Sequence, residues 1–595
     1  MDPKVFYELS LKKYAEQLKK ASRQSSTISG FRLLTFVLTG TGAYFYFTQH
    51  QVGILLLTVL VLLIFLLLIG YSVLTADKKK LLTQLVFINK NELGMLDGQR
   101  NAFNNGAQIT ALPSHATDLD LFGDYSVYHL LNRTTTPHGA NALAALLKNP
   151  LTNRNEILLL QEAIKALSAQ IETRQLITAN GLLQDVKDNT VEDILLWIDS
   201  SNKVSENRFL PVMRFAAPLL SVSGFIYYLS SDNPIPLGIG VIISWLIIGW
   251  FAKYIMRQHL LIGKKEAVLQ QYGFILKTFS ASKSGNSVLL KNVLDISLSA
   301  RQEIHHLSKL SSLFDQRLNL LVSIFLNSLL LYDIQVMMAL EKWKKRNKDY
   351  FLGWIEAVGS IEQLNSLATF SFNHPSYCFP ELLEGRPEIT AVGVGHPLID
   401  QKDQVTNDIQ AGRSDSLLLI TGSNMSGKST FLRTIGVNIV LAQCGLPVCA
   451  ETFAFTPMSV LSSIRISDSL QENTSYFMAE LKRLKSIIDA LSAGLPALVL
   501  IDEVLRGTNS EDKKFGSEEL IKKLSAFNCL AFFASHDLSL SVLEETLPGK
   551  VKNYCFESTI INGELLFDYK LHPGVATNKN ASFLMKKMGI IGNNS

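Results

Sequence analysis

Residues 52–74, VGILLLTVLVLLIFLLLIGYSVL, contain no charge. About 20 apolar residues carry a helix across the hydrocarbon core of a bilayer, so this run is long enough to span one. In that medium a helix satisfies its own backbone groups, whereas an open strand or irregular chain does not. A shorter apolar stretch, residues 33–48 (LLTFVLTGTGAYFYFT), precedes it and ends in Tyr44 and Tyr46, side chains suited to a membrane–water boundary. Only Gln49, His50 and Gln51 separate the two, which leaves room for nothing but a helical hairpin. A second pair follows: residues 215–229, the turn SSDNPIP, and residues 237–252 with Trp245 and Trp250. Each member is marginal in length. Their pairing, the tryptophans and the flanking charges favour a membrane hairpin over two buried core helices.

Basic residues orient these segments. Lys12, Lys13, Lys19, Lys20, Arg23 and Arg32 precede the first span, and Lys78, Lys79 and Lys80 follow the second. Arg214 precedes the third, and Lys253 and Arg257 follow the fourth; neither turn carries Lys or Arg. The positive-inside rule then predicts a multi-pass protein of the cell membrane with both termini and all large segments cytoplasmic. A cleaved signal peptide is disfavoured, because the apolar run starts past residue 30 and no A-x-A site follows it.

Composition agrees with this. Charged residues make up 18% of the chain, below the roughly 25% of ordinary soluble domains, and mean hydropathy is +0.19. Such a chain is not disordered. Five cysteines in 595 residues exclude a disulfide scaffold, and no CxxC spacing suggests zinc, so free buried thiols in a reducing compartment are expected. A net charge of +4 does not by itself indicate nucleic acid. At roughly 150 residues per domain the length allows about four domain-sized pieces.

The chemistry sits in the C-terminal third. Residues 416–421, SLLLIT, read as a buried strand and run into Gly422-Ser423-Asn424-Met425-Ser426-Gly427-Lys428-Ser429-Thr430. This fits G-x-x-x-x-G-K-[ST], in which backbone N–H groups cradle phosphates, Lys428 adds charge at the β/γ-phosphates and the Ser429 hydroxyl faces Mg²⁺. The following FLRTIGVNIVLAQ reads as a helix whose N-terminus faces the same anion. Downstream, ALVLI is a second buried strand ending in Asp502 and Glu503. Asp502 is the candidate Mg²⁺ holder and Glu503 the candidate general base for water. A third strand, CLAFFA, ends in Ser535 and His536, which can reach a γ-phosphate.

In order along the chain, GHPLID, TGSNMSGKSTFLRTIG, GLPVCA, SDSLQENTSYFMAEL, LVLIDEVLRGTN, ASHD and LHPGVATNKNASFLMKKMGI resemble the motifs of the MutS family of mismatch-recognition ATPases, within the ABC-type superfamily. Upstream, residues 118–157 resemble the opening of that family's helical core, with Leu131, Asn132, Arg133, Thr134 and Gly139 its most recognisable residues. Residues 354–370 resemble the end of its lever arm. The resemblance implies an α/β P-loop ATPase domain with a mixed sheet, C-terminal to an all-α core and lever, here carrying two transmembrane helical hairpins. It implies ATP and Mg²⁺ as cofactors and a homodimer with composite sites, in which Ser475 of one subunit reaches the γ-phosphate held by the other. It further implies mismatched or branched DNA and a repair-type protein as partners, while the lipid bilayer is the partner that the apolar segments call for.

The expected division is an N-terminal segment (1–30), a first hairpin (31–75), the first part of the helical core (76–210), a second hairpin (211–257), the lever (258–385) and the ATPase domain (386–595). Departures from the family pattern are informative. Ser423 and Ser426 replace Pro and Gly in the phosphate loop, and Leu505 replaces a small residue after Glu503. The mismatch-reading domain is expected to be missing. Phe6-Tyr7-Glu8 has the letters of its reading motif, but too few residues precede the first span to fold a domain. The second hairpin falls where relatives insert their DNA clamp. Among basic residues of the helical part, only Lys342 to Arg346 is a dense run, an ordinary solvated face or membrane contact if it does not bind DNA. Three functions remain open: a membrane-anchored repair ATPase that binds DNA, an ATP-driven switch acting on protein or membrane partners, and a transporter. Spans so poor in polar residues make the last unfavourable.

Overall fold

The computed structural model describes residues 2–184, 190–465, 476–505, 508–561 and 564–576. Two long helices, α1 (Pro3–Gln49) and α2 (Val52–Leu96), pack against each other as a hairpin closed at His50, which adopts φ 48°. Asp2 caps α1 through Lys4 N, and Pro3 occupies the first turn, where no backbone donor is lost. Residues 3–30, expected to be a separate segment, are the lower half of α1, since nothing in their sequence stops the helix. Its foot is buried in the helical core. Tyr7 donates its hydroxyl to Asn373 Oδ1 (2.8 Å), and the rings of Phe6 and Tyr7 meet Phe372 edge-on. Phe6 and Tyr7 thus have a packing role.

The core continues through α3 (Ser114–Asp118), α4 (Val127–Leu131), α5 (Pro137–Lys148), α6 (Arg154–Ser168), α7 (Ile171–Gly181) and α8 (Thr190–Asp199). Then come α9 (Leu210–Ser231), α10 (Ile235–Ile262), α11 (Glu266–Phe279), α12 (Val288–Asp315), α13 (Leu320–Leu330) and α14 (Tyr332–Asn373). The 42-residue α14 is the spine, packed on α5, α6 and α12. The residues most recognisable in the sequence have structural reasons to be there. Arg133 pairs with Glu92 of α2. Gly139 lies where a Cβ would meet Glu362 Oε2 at 2.1 Å, because Glu362 caps α5 by accepting from Thr135 N and Thr136 N.

Among the described residues, α2, α9 and α10 are long and apolar enough to cross a membrane. The expected first span, in the upper half of α1, falls short of that apolarity because residues 39–46 mix Thr and Gly with its aromatics. The second hairpin runs from Leu210 to Ile262, longer than 211–257, since both helices continue past their apolar centres. Gly224 and Gly240 bring α9 and α10 together: a Cβ on Gly224 would meet Leu237 N at 2.7 Å and one on Gly240 would meet Ser221 Oγ at 2.7 Å. Small residues at such a crossing let the two helix backbones approach closely. One further apolar helix, α13, was placed by the sequence inside the lever; it bends 83° into α14.

The C-terminal domain is mixed α/β. A four-stranded sheet joins β1 (Glu381–Leu382), β2 (Ile389–Val394), β3 (Asn407–Ala411) and β5 (Thr452–Phe455) in the order β1-β5-β2-β3. The main sheet holds β4 (Leu417–Gly422), β6 (Ser459–Ser463), β7 (Ala497–Asp502), β8 (Cys529–Ser535), β9 (Val551–Ile561) and β10 (Glu564–Pro573). Its order is β10-β9-β4-β8-β7-β6, parallel except for β10. β4, β7 and β8 are buried along their whole length, which explains their unbroken apolar sequences. Helix α15 (Lys428–Gln443) covers one face and shares its core with the helical region. There Gly436 allows Leu119 and Leu500 to close over it. Helices α16 (Tyr476–Ser492), α17 (Ser510–Leu524) and α18 (Leu543–Thr546) cover the other face.

Candidate active site

The three central strands deliver their ends to one place. Parallel pairing of β4 with β8 and of β8 with β7 brings Gly422, Asp502 and Ser535 to the same edge of the sheet. Between β4 and α15 the chain turns through Met425 (φ 69°) and Gly427 (φ 107°). At Gly427 a Cβ would also approach Tyr569 Cδ1 at 3.2 Å, so both backbone and space call for glycine. α15 starts at Lys428, whose ammonium is almost buried and donates to Gly422 O and Ser423 O, both at 2.8 Å. The first N–H groups of α15 and its positive dipole end face the same volume.

That volume is a cleft of about 660 Å³, lined by residues 424–430 and by Glu503. The loop residues predicted from sequence therefore come together, with Gly422 and Ser423 at the root where they hold Lys428. Asp502 closes β7, 7% exposed, and Glu503 follows it with φ 44°, its N–H bonded to Ala534 O (3.0 Å). Glu480 of α16 fixes the next turn by accepting from Leu505 N (2.6 Å). Leu505 itself packs inward against α17, where a Cβ on Gly516 would meet its Cδ1 at 2.5 Å. His536 stands beside Glu503, Nδ1 to Oε1 at 3.7 Å, with Lys513 Nζ 3.4 Å from its other nitrogen. Ser475 and the segment from 577 onward lie outside the described residues.

Sequence reasoning missed the far wall of the cleft, made by Val394, His396, Ile399, Val405, Phe556 and Tyr569. His396 lies in the quoted GHPLID, yet nothing about that segment assigns it a role. Burial, with Arg433 nearby, pushes the His396 imidazole down to about 4, so it is neutral at neutral pH. Tyr569 reaches the loop only because β10 folds back on β9. No cluster of three or more His, Cys, Asp or Glu able to hold a metal exists among the described residues. A strand-end carboxylate and a helix-start hydroxyl, Asp502 and Ser429, suit Mg²⁺, which takes few protein ligands and completes its shell with water and phosphate oxygens.

The site is tied to the helical region by two aspartates of the segment after α2. Asp118, fully buried, accepts from Ser462 Oγ (2.7 Å), Ile464 N (3.1 Å), Arg465 N (3.1 Å) and Arg483 Nη1 (3.4 Å). Asp120 accepts from Arg433 of α15 (3.1 Å) and Arg465 (2.6 Å). Among basic residues, Lys344 turns inward and donates to Trp197 O and Ser200 O, and burial pushes it down to about 8; Arg346 pairs with Glu303. The dense basic run is therefore only partly presented to solvent.

A helical region is followed by a mixed α/β domain with a glycine-bounded loop between its central strand and a covering helix, an arrangement consistent with a MutS ATPase domain. Residues 418–590 match the family model described as MutS domain V. The chain is 34% identical over 254 residues to the DNA mismatch repair protein MutS of Thermotoga petrophila, covering 41% of this chain and 31% of that protein. It is 31% identical over 243 residues to the DNA mismatch repair protein MSH6 of Arabidopsis thaliana, covering 37% and 18%. It is 33% identical over 227 residues to the MutS of Lactobacillus johnsonii, covering 37% and 26%. The chain thus spans less than a third of the length of these curated relatives.

Proposed function

We propose that this protein is a Mg²⁺-dependent ATP hydrolase of the MutS type. Two copies would complete each other's sites, and ATP state would be coupled to movement of the helical core. The observation that carries the reading is one cleft containing both a buried lysine at the start of α15 and Glu503 at the end of β7. The loop amides and Lys428 would bind and orient the triphosphate. Mg²⁺, held by Ser429 and Asp502, would offset phosphate charge. Glu503 would take the proton of the water that attacks the γ-phosphorus as its bond to the bridging oxygen breaks, releasing ADP and phosphate. His536 is within reach of Glu503 and would orient it or the γ-phosphate. Ser475 of the second copy would complete the site. The apolar wall around Ile399 and Val405 suits the nucleoside.

We further propose that α2, with the upper part of α1, and α9–α10 lie in the cell membrane, with the catalytic domain and both termini on the cytoplasmic side. The names of the relatives point to DNA repair, with mismatched or branched DNA as the partner. A second reading, a membrane-associated switch acting on protein partners without DNA, is favoured by the inward Lys344 and the paired Arg346. ATP turnover by the detergent-solubilised protein tests the first claim. Lys428→Ala should abolish it, and Glu503→Gln should keep ATP binding but cut turnover by roughly 10²–10⁴. Normal turnover in Glu503→Gln would remove the assigned base. Salt-titrated binding to duplex, mismatched and branched DNA separates the two readings.

A further inference from the structure

We propose that α13 is buried among lipid acyl chains in a single leaflet, a third membrane-inserted element beside α9 and α10. The proposal rests on reading α9–α10 as a membrane hairpin. Helix α13 has the sequence LLVSIFLNSLL, with no charge. Its 11 residues span about 16 Å, roughly half a hydrocarbon core, so it cannot cross. A segment of that length is a core helix or one inserted part-way. It is no core helix here: Asn327 is its sole buried residue, while Leu320 is 71% and Leu321 80% exposed.

Both ends of α13 are fastened to the same place. Asn319 caps its start by accepting from Val322 N (3.3 Å). At its end Leu331 adopts φ 50°, and the chain leaves at 83° into α14. Arg317 before the helix and Asp333 after it form an ion pair (3.4 Å), Asp333 N donates to Asn327 Oδ1 (2.9 Å), and Tyr332 donates its hydroxyl to Leu313 O (2.7 Å). A helix stapled across its own ends enters and leaves on one side. That side is the basic one, because Gln335 of α14 donates to Arg214 O at the foot of α9 (2.6 Å). The flank of α13 meets α9 and α10, with Trp245 Nε1 donating to Ser328 Oγ (3.0 Å). An uncharged face of Leu, Ile and Phe, set against two helices apolar enough to span, matches acyl chains. A soluble partner would call for polar groups at its rim, and this face offers Ser and Asn alone.

The test places a nitroxide on the full-length protein in phosphatidylcholine–phosphatidylglycerol liposomes, at Leu321→Cys, Phe325→Cys and, on α9, Leu219→Cys. Collision rates with oxygen and with a water-soluble nickel chelate are compared with a label at Lys523→Cys on α17. The expected result is an oxygen-to-nickel ratio several-fold above the Lys523 label at all three apolar positions. Nickel access at 321 and 325 with Leu219 shielded would overturn the proposal and leave the membrane hairpin standing. Nickel access at all three would sink the hairpin reading as well. Low access to both reagents at 321 and 325 would mean a protein, such as a second copy, covers α13, which also overturns it.

Discussion

Arg133 and Glu92 meet through two hydrogen bonds, 2.5 and 2.9 Å, with side chains only 4% and 1% exposed. Burial alone would raise the Glu92 carboxyl. The Arg133 charge and hydrogen bonds, with Asn373, outweigh it and hold Glu92 below the usual carboxylate range. The pair joins the far end of α2 to the loop leading into α5. Glu92→Ala should leave a buried guanidinium uncompensated and cost about 3–5 kcal/mol. Thermal unfolding in detergent should show a fall of several degrees; a change within error would mean that the pair contributes nothing.

Gly139→Ala puts a methyl group into the Glu362 carboxylate that caps α5. The cost should be about 1–3 kcal/mol in the same melt, because backbone and carboxylate must both shift. An unchanged melting temperature would show that Glu362 can move freely.

Asp118→Asn keeps the shape of the buried acceptor but removes its charge beside Arg483 and Arg465. Those contacts hold the residues flanking the segment that contains Ser475. The expected outcome is a lower kcat with little change in nucleotide affinity. A loss confined to affinity would place the effect in the cleft itself.

Stability should depend on pH through His396. Its folded imidazole titrates at about 4, and an unfolded one near 6.5. Between these values the unfolded chain binds the proton and the folded one does not. This contribution is therefore complete above about pH 6.5 and is lost as pH falls toward 4, with a slope of at most about 1.4 kcal/mol per pH unit. His396→Gln should flatten that limb of a melting-temperature profile. An identical profile would assign the acid limb to other groups.

The near wall of the cleft was legible because the motif G-x-x-x-x-G-K-[ST] has fixed spacings. The residues from Gly422 to Thr430 form one continuous passage from the end of β4 into the first turn of α15, and Asp502 ends, and His536 follows, strands whose apolar runs follow from burial on both faces. The far wall was not legible. His396 and Tyr569 are distant in sequence, and only strand pairing brings them to one cleft. Helix α13 escaped notice because 11 residues fall short of a span and its exposure depends on a left-handed Leu331, which no sequence rule marks. The run from Lys342 to Arg346 looked like a basic patch, but helical periodicity turns Lys344 inward beside Trp343 and Asn347.

Helix α2 runs without a break from Val52 to Leu96, 45 residues or about 68 Å. Such a rod has no joint between its greasy tip and the carboxylate clamped at its root. A rocking of the root by one degree sweeps the tip by roughly an ångström. Under the proposed function, a small rearrangement around a bound phosphate that reached this root would need no hinge within α2 to be felt at the outer end of the hairpin.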